Sequence, residues 1–289
     1  MNGIAAPLSS INIGDIRVTW VPDGIHHSDA RYQYPDLPPS VWSDHSEVFD
    51  QDGWLVMSIG ATLIQSSMRT LLVDAGFGPR TLDIGKLSGG GQGGDLIGGQ
   101  LLDNLASLGV RPDDVDDIVL THLHLDHIGW ITGTDGKVTF PNARYHVHED
   151  EWRHWNQPEV ISQGTGATLQ QLAVIGQTLA LVSGSDAIAP GVHAFPTPGH
   201  TPGHTSVLVA DLTRSALVLG DAMHCSVELQ HPHASFIFDH DPVEAARSRR
   251  RILERLSEPN TWYVGTHFPN QVFGSLDGSD APVERRPLG

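Results

Sequence analysis

Cysteine is almost missing from this 289-residue chain: Cys225 stands alone, which excludes an internal disulfide and a cysteine-based zinc finger. Basic residues are scarce. Lys and Arg number 17 against 34 Asp and Glu, a formal net charge of −17. A surface that acidic repels phosphate backbones and anionic lipid, so neither nucleic acid nor a membrane is expected as a partner. Long apolar runs are lacking too. No stretch reaches about 18 uninterrupted apolar residues, the length a membrane helix needs; the run around Leu172–Val182 is broken by Gly176, Gln177 and Thr178. Met1 to Asp15 has no basic segment leading into an apolar one, so no signal peptide is expected. With a single cysteine, the expectation is a cytoplasmic protein.

Histidine is what the chain has: 17 residues of 289. It is the commonest metal ligand and the usual acid–base group near neutral pH. Hydrophobic residues make up 39%, enough for a sizeable core. Ile16–Val21 reads as a first strand, closed by Pro22-Asp23-Gly24. His26 to Asp52 reads as an irregular segment carrying Tyr32, Tyr34, Trp42 and Phe49, suited to a lid. Trp54–Gln65 and Thr70–Val73 form a hairpin. Gly85–Gly99 is glycine-rich, with the expectation of mobility. Its literal G-x-G-x-x-G (Gly89, Gly91, Gly94) is rejected as a dinucleotide site, because no strand runs into it and no helix starts at its second glycine. Leu101–Leu108 is a helix, Asp116–Thr121 and Tyr145–Val147 are strands, and Glu149–Trp155 and Leu169–Val182 are helical. Val192–Pro196, Ser206–Ala210, Ala216–Leu219 and Trp262–Val264 are strands. Asp241-Pro242-Val243-Glu244 opens a helix to about Leu256, with a capping box. Strands alternating with helices in each half lead to a four-layer α/β/β/α sandwich, an α/β fold.

The chemistry concentrates in Thr121-His122-Leu123-His124-Leu125-Asp126-His127, four potential ligands directly after a strand. His122 and His124, two apart, point to the same side of an extended segment, while Leu123 and Leu125 point into the core. One short loop can present two ligands to one metal and two to a neighbour. A metal site needs three or four ligands, and the rest of the chain supplies His200, Asp221 and His267, each after a strand and beside a glycine.

This ordered set, His122-x-His124-x-Asp126-His127, His200, Asp221 and His267, resembles the metallo-β-lactamase superfamily. The resemblance runs from the Trp54–Asp74 hairpin to His267 and implies one domain over residues 1–289. It implies that His122, His124 and His200 bind one metal, that Asp126, His127 and His267 bind another, and that Asp221 bridges them with a hydroxide. Zinc is the first expectation for the two divalent ions, with Mn, Fe and Co as alternatives. Such a pair lowers the pKa of a water and polarises the electrophile. Asp126 and His224 are the candidate catalytic side chains. Asp74 matches a position where relatives hold an Asp, and a hydrogen bond to a ligand histidine or a turn cap would account for it. His204 is expected to support the site rather than to ligate.

Within the superfamily the chain looks like the acyl homoserine lactonase and methyl parathion hydrolase branch. Many lactonases carry a tyrosine three residues after the bridging Asp; here that residue is His224, followed by Gln230-His231-Pro232. The branch lines its pocket with aromatics, for which Phe77, Trp130, Phe140, Phe236, Phe238 and Phe268 are candidates. The implied function is a dinuclear hydrolase that opens a lactone or cleaves a small ester, with phosphotriester hydrolysis, thioester hydrolysis and a non-catalytic metal-binding scaffold as alternatives. Relatives dimerise through the N-terminal segment, so residues 26–52 are expected as a lid or as the contact of a homodimer. Arg247, Arg251 and Arg255 read as a solvated stripe with Glu244 and Glu254 as partners.

Overall fold

The structure, a computed structural model, describes residues 2–84, 93–278 and 283–285. Strands β1 (Ser9–Ile13) and β2 (Ile16–Ser28) form a first hairpin, turned at Gly14 with φ +58°, a conformation glycine adopts without steric cost. β2 pairs antiparallel with β3 (Leu55–Gln65), and β3 with β4 (Thr70–Val73). Pairing then turns parallel through β7 (Asp117–Val119), β8 (Arg144–His148) and β9 (Leu179–Val182). β5 (Thr81–Asp83) and β6 (Gly93–Ile97) join through β2, and β16 (Glu284–Arg285) pairs with β1. The second sheet has the order β10 (Ala187–Ala189), β11 (Val192–Pro196), β12 (Thr205–Ala210), β13 (Ser215–Val218), β14 (Thr261–Val264), β15 (Phe273–Gly274).

Strand residues alternate faces, and in both sheets both faces are apolar. Leu71 and Val73 of β4 face the second sheet, and Leu72 faces out. Ala216 and Val218 of β13 face the first sheet, and Leu217 faces out. The outer face of the first sheet is covered by helices Leu101–Ser107, Glu149–Trp155 and Leu169–Gln177, and that of the second by Pro242–Leu256. The four expected layers are present. Among the described residues no helix is long and apolar enough to cross a membrane.

Several local expectations are corrected. β2 does not stop at Pro22-Asp23-Gly24 but passes through a register shift there. Asp23 turns inward and is fully buried. Its carboxylate accepts from the N–H groups of Phe77, Gly78, Gly99 and Leu101 and from Trp130 Nε1, five donors that offset the burial of a charge. The helix expected over Leu169–Val182 ends at Gln177, because Thr178 closes its last turn and Leu179–Val182 pairs with β8 instead. The capping box at Asp241 is half made. Its side chain caps Val243 and Glu244, but its own N–H goes to the Gly199 carbonyl and Glu244 pairs with Arg247. The segment read as irregular begins with the end of β2 and holds short helices at Ala30–Gln33 and Pro39–Ser43. Gly89 and Gly91, within the stretch expected to be mobile, lie outside the described residues, and Gly94 is part of β6.

Candidate metal centre

Thr121 to His127 follow β7, beside the end of its parallel neighbour β4. There Asp74 adopts φ +64° and turns its carboxylate back onto the loop. Its Oδ1 accepts from Thr121 N at 2.8 Å, and its Oδ2 accepts from Thr121 Oγ1 at 2.9 Å and from His127 Nδ1 at 2.8 Å. Asp74 thus hydrogen-bonds His127, one of the candidate ligand histidines. A second carboxylate, absent from the sequence reading, holds the loop from behind. Glu151 is fully buried and accepts from Leu123 N (3.0 Å), Trp155 Nε1 (2.6 Å), Thr201 Oγ1 (2.6 Å) and Gly203 N (3.1 Å). One side chain thus ties the His122–His124 segment to the loop that carries His200. Gly203 allows this approach: a Cβ there would lie 2.1 Å from Glu151 N.

All seven expected ligands converge. The ligand atoms of His122, His124, His200 and Asp221 form one group, and those of Asp126, His127 and His267 form another. Asp221 lies between them. Its Oδ2 is 3.5 Å from His122 Nε2 and 3.3 Å from His200 Nε2, and its Oδ1 is 3.0 Å from His127 Nε2 and 2.8 Å from His267 Nε2. His124 Nδ1 is 2.8 Å from His122 Nε2 and 2.9 Å from His200 Nε2. The opposite nitrogens are committed outward. His127 Nδ1 donates to Asp74, His200 Nδ1 to Asp239 Oδ1 (3.2 Å), His267 Nδ1 to the Ser58 carbonyl (2.7 Å), and His122 Nδ1 lies 3.1 Å from Thr121 Oγ1. Donating Nδ1–H outward leaves the Nε2 lone pair facing inward, the tautomer a divalent cation needs. Nitrogen and carboxylate donors in this number suit such an ion.

The electrostatics agree. Burial drives the His122 and His124 imidazoles down, helped by neighbouring imidazoles, with His124 at about 3; both are neutral and able to bind metal. Burial alone would raise the Asp221 carboxyl, but His127, His267, His122 and His224 hold it well below the usual range.

His204 supports the site without joining either group: its Nε2 accepts from Asp221 N at 2.9 Å. His224 Nε2 is 3.2 Å from Asp221 Oδ2, and its ring stacks on Phe236 with centroids 3.6 Å apart. Phe238 meets Phe236 edge-on and is 48% exposed. The remaining pocket candidates are core side chains. Phe77 packs with Ile59 and Leu96, Phe268 with Ile252 and Leu256, and Phe140 and Trp130 lie in the core under the first sheet.

Behind His224 lies a buried ionic network that sequence reasoning missed. Glu228 Oε2 accepts from His224 N, Cys225 N and Tyr34 Oη. Arg249, fully buried, sits 3.4 Å from both Glu228 and Asp239 and donates to the Pro232 and Ala234 carbonyls. Its spacing from Ala245, Ile252 and Leu256, all buried on one helix face, was the available signal. In the expected stripe, Arg247 pairs with Glu244, but Arg255 pairs with Glu258 rather than Glu254, and Arg251 donates to the Pro196 carbonyl.

Comparison with known proteins agrees with this geometry. Residues 54–267 match the metallo-beta-lactamase superfamily. The chain is 26% identical over 227 residues to the N-acyl homoserine lactonase AiiA of Bacillus thuringiensis subsp. kurstaki, covering 73% of this chain and 82% of that one. A probable metal-dependent hydrolase from Staphylococcus aureus superposes with a TM-score of 0.81 at 23% identity, over 96% of this chain and 99% of that one. AidC, a dizinc quorum-quenching lactonase in complex with a product N-hexanoyl-L-homoserine, superposes with a TM-score of 0.77 at 24% identity, over 98% of each chain. The chain belongs to the metallo-β-lactamase superfamily of metal-dependent hydrolases.

Proposed function

We propose that this chain is a dinuclear zinc lactonase that opens the ring of N-acyl homoserine lactones. The observation that carries this is the division of Asp221, one carboxylate oxygen toward each ligand group. His122, His124 and His200 would hold one ion, Asp126, His127 and His267 the other, with Asp221 shared. Two bound divalent ions acidify a water and polarise the lactone carbonyl. The remaining roles fall to side chains. Asp126 Oδ2 lies 3.7 Å from His127 Nε2 and 3.8 Å from His267 Nε2, and at 18% its side chain is the more exposed of the centre's two carboxylates. It takes the proton released as water adds to the carbonyl and returns it to the ring oxygen as the C–O bond breaks. His224, held by Phe236 and Glu228, donates to the carbonyl oxygen as negative charge develops there.

Phe236 and Phe238 form the apolar wall. Residues 26–52 complete it as part of a single domain, supported by Tyr34 packing on Phe236 with centroids 5.4 Å apart. The relatives named above, one a lactonase by name and one holding an acyl homoserine product, favour this substrate class. The test is hydrolysis of N-hexanoyl homoserine lactone by protein of measured metal content, followed as acid release, with a chelator-treated control. Rapid turnover abolished by the chelator is expected. No turnover by protein holding two ions per chain would overturn the lactonase assignment in favour of aryl esters, phosphotriesters or thioesters.

A further inference from the structure

We infer that His26 is a substrate-binding residue of this centre, its Nε2 hydrogen-bonding the acylamino group that the substrate carries beside its reacting carbonyl. The nature of the substrate rests on the lactonase proposal above; the place of the imidazole does not.

His26 lies near the end of β2, opposite Met57 of β3 and Leu96 of β6. The next residue of β3, Ser58, grips the ligand His267 with both backbone groups: Ser58 N donates to the His267 carbonyl at 2.9 Å, and the Ser58 carbonyl accepts from His267 Nδ1 at 2.7 Å. β2 therefore ends one strand away from the centre. Asp126, His267, His27 and His224 lie near enough for their charges to act on the His26 ring, and Asp126, His267 and His224 are residues of the candidate centre. His26 Nε2 is enclosed, yet no group among the described residues partners it.

An enclosed imidazole nitrogen without a partner costs free energy that a ligand can recover. Burial, the largest influence, brings the imidazole down to about 4, so at neutral pH it presents either a lone pair or an N–H. An acylamino group satisfies both tautomers, since it carries an N–H and a carbonyl. In an N-acyl homoserine lactone it is attached to the carbon next to the ring carbonyl, so it enters the centre together with the reacting atom. A plain lactone would leave His26 Nε2 unpaired. Sites built to hydrogen-bond a substrate group reject analogues that lack it.

The experiment compares kcat/KM for N-hexanoyl homoserine lactone with that for γ-butyrolactone, the same ring without the amide. It uses wild type, His26→Phe, His26→Ala and His26→Gln, each checked for fold by circular dichroism and for metal content. Wild type is expected to prefer the acylamino lactone. The preference falls at least about tenfold in the Phe and Ala variants, mainly through KM, and His26→Gln, which restores a polar group, recovers part of it. Calorimetric binding of ring-opened N-hexanoyl-homoserine against 4-hydroxybutyrate gives the same loss without turnover.

Absence of any preference in wild type, or equal loss on both substrates in the variants, overturns the inference. If wild type opens neither lactone, the lactonase proposal fails by itself. His26 is then decided by the same ratio on p-nitrophenyl N-hexanoylglycinate against p-nitrophenyl hexanoate.

Discussion

The two halves of the candidate metal centre are built differently. His122, His124, Asp126 and His127 come from one loop behind β7, whereas His200, Asp221 and His267 follow three separate strands of the second sheet, β11, β13 and β14. The loop is braced by carboxylates on adjoining elements, Asp74 on Thr121 and His127 and Glu151 on Leu123. The dispersed ligands lean on long-range partners: Asp239 on His200, the Ser58 carbonyl on His267, and His204 on the Asp221 backbone. A contiguous motif can be held from two sides. Ligands from separate strands need charge buried between a helix and the loops that follow the strands, which is where Arg249 sits.

The largest effect should come from breaking that second device. Arg249→Met would leave Glu228 and Asp239 buried without their cation, a loss of about 3–5 kcal/mol measurable by urea unfolding. Metal analysis should show the His200 group emptying first, because Asp239 would lose the charge that fixes it against His200. Glu151→Ala should cost about 3 kcal/mol by orphaning buried donors. Since Glu151 touches Leu123 on one side and Thr201 and Gly203 on the other, it should weaken both histidine-bearing loops together. A Glu151→Ala protein with normal metal affinity would show that the two loops hold themselves without a shared carboxylate.

The same contrast decides what could be read in the sequence. The contiguous loop was legible because two-residue spacing puts His122 and His124 on one side of the chain. The dispersed ligands became legible only as an ordered set with that loop. The layers could be read because strands apolar on both faces imply covering helices. Arg249 was hidden inside Arg249-Arg250-Arg251, where composition suggests a solvated surface and only helical spacing from Ala245 and Ile252 places it inside. Leu179–Val182 reads as helix in sequence because a short apolar run carries no period of its own. Phe77, Trp130 and Phe268 looked like pocket walls, since an aromatic in the core and one lining a cavity have the same local sequence. His26 reads as part of an irregular segment because the register shift at Asp23, through which β2 continues, depends on donors as distant as Trp130.

Acid should separate the two ligand groups, His122–His124–His200–Asp221 and Asp126–His127–His267, more mildly. Burial pushes the His127 imidazole down, but Asp221, Asp126 and Asp74 outweigh it and raise it well above the usual histidine value. A proton on His127 would compete with an ion held there, so affinity should fall as pH falls. His122 and His124 are driven the other way and carry no proton near neutrality. Stepwise dialysis from pH 8 to pH 5 should remove the ion of the His127 group before that of the His122 group. The reverse order would show that protonation of His127 does not set the acid limit.

The smallest expected effect concerns the link between the N-terminal segment and the centre. Tyr34 is buried, its hydroxyl donates to Glu228 Oε2 at 2.9 Å, and its ring packs on Trp42 and Phe236. Burial and the neighbouring carboxylate keep the phenol protonated, so it acts as a donor throughout the working range. Tyr34→Phe keeps the ring and removes only that donor, while the N–H groups of His224 and Cys225 still reach Glu228. The stability loss should be about 1–1.5 kcal/mol. If residues 26–52 belong to the substrate wall, kcat/KM should also fall a few-fold, because Glu228 holds the His224 backbone and Phe236 stacks on its ring. A lower melting temperature with unchanged kcat/KM would make Tyr34 a packing residue alone, and the centre would then depend on Arg249 rather than on the segment that covers it.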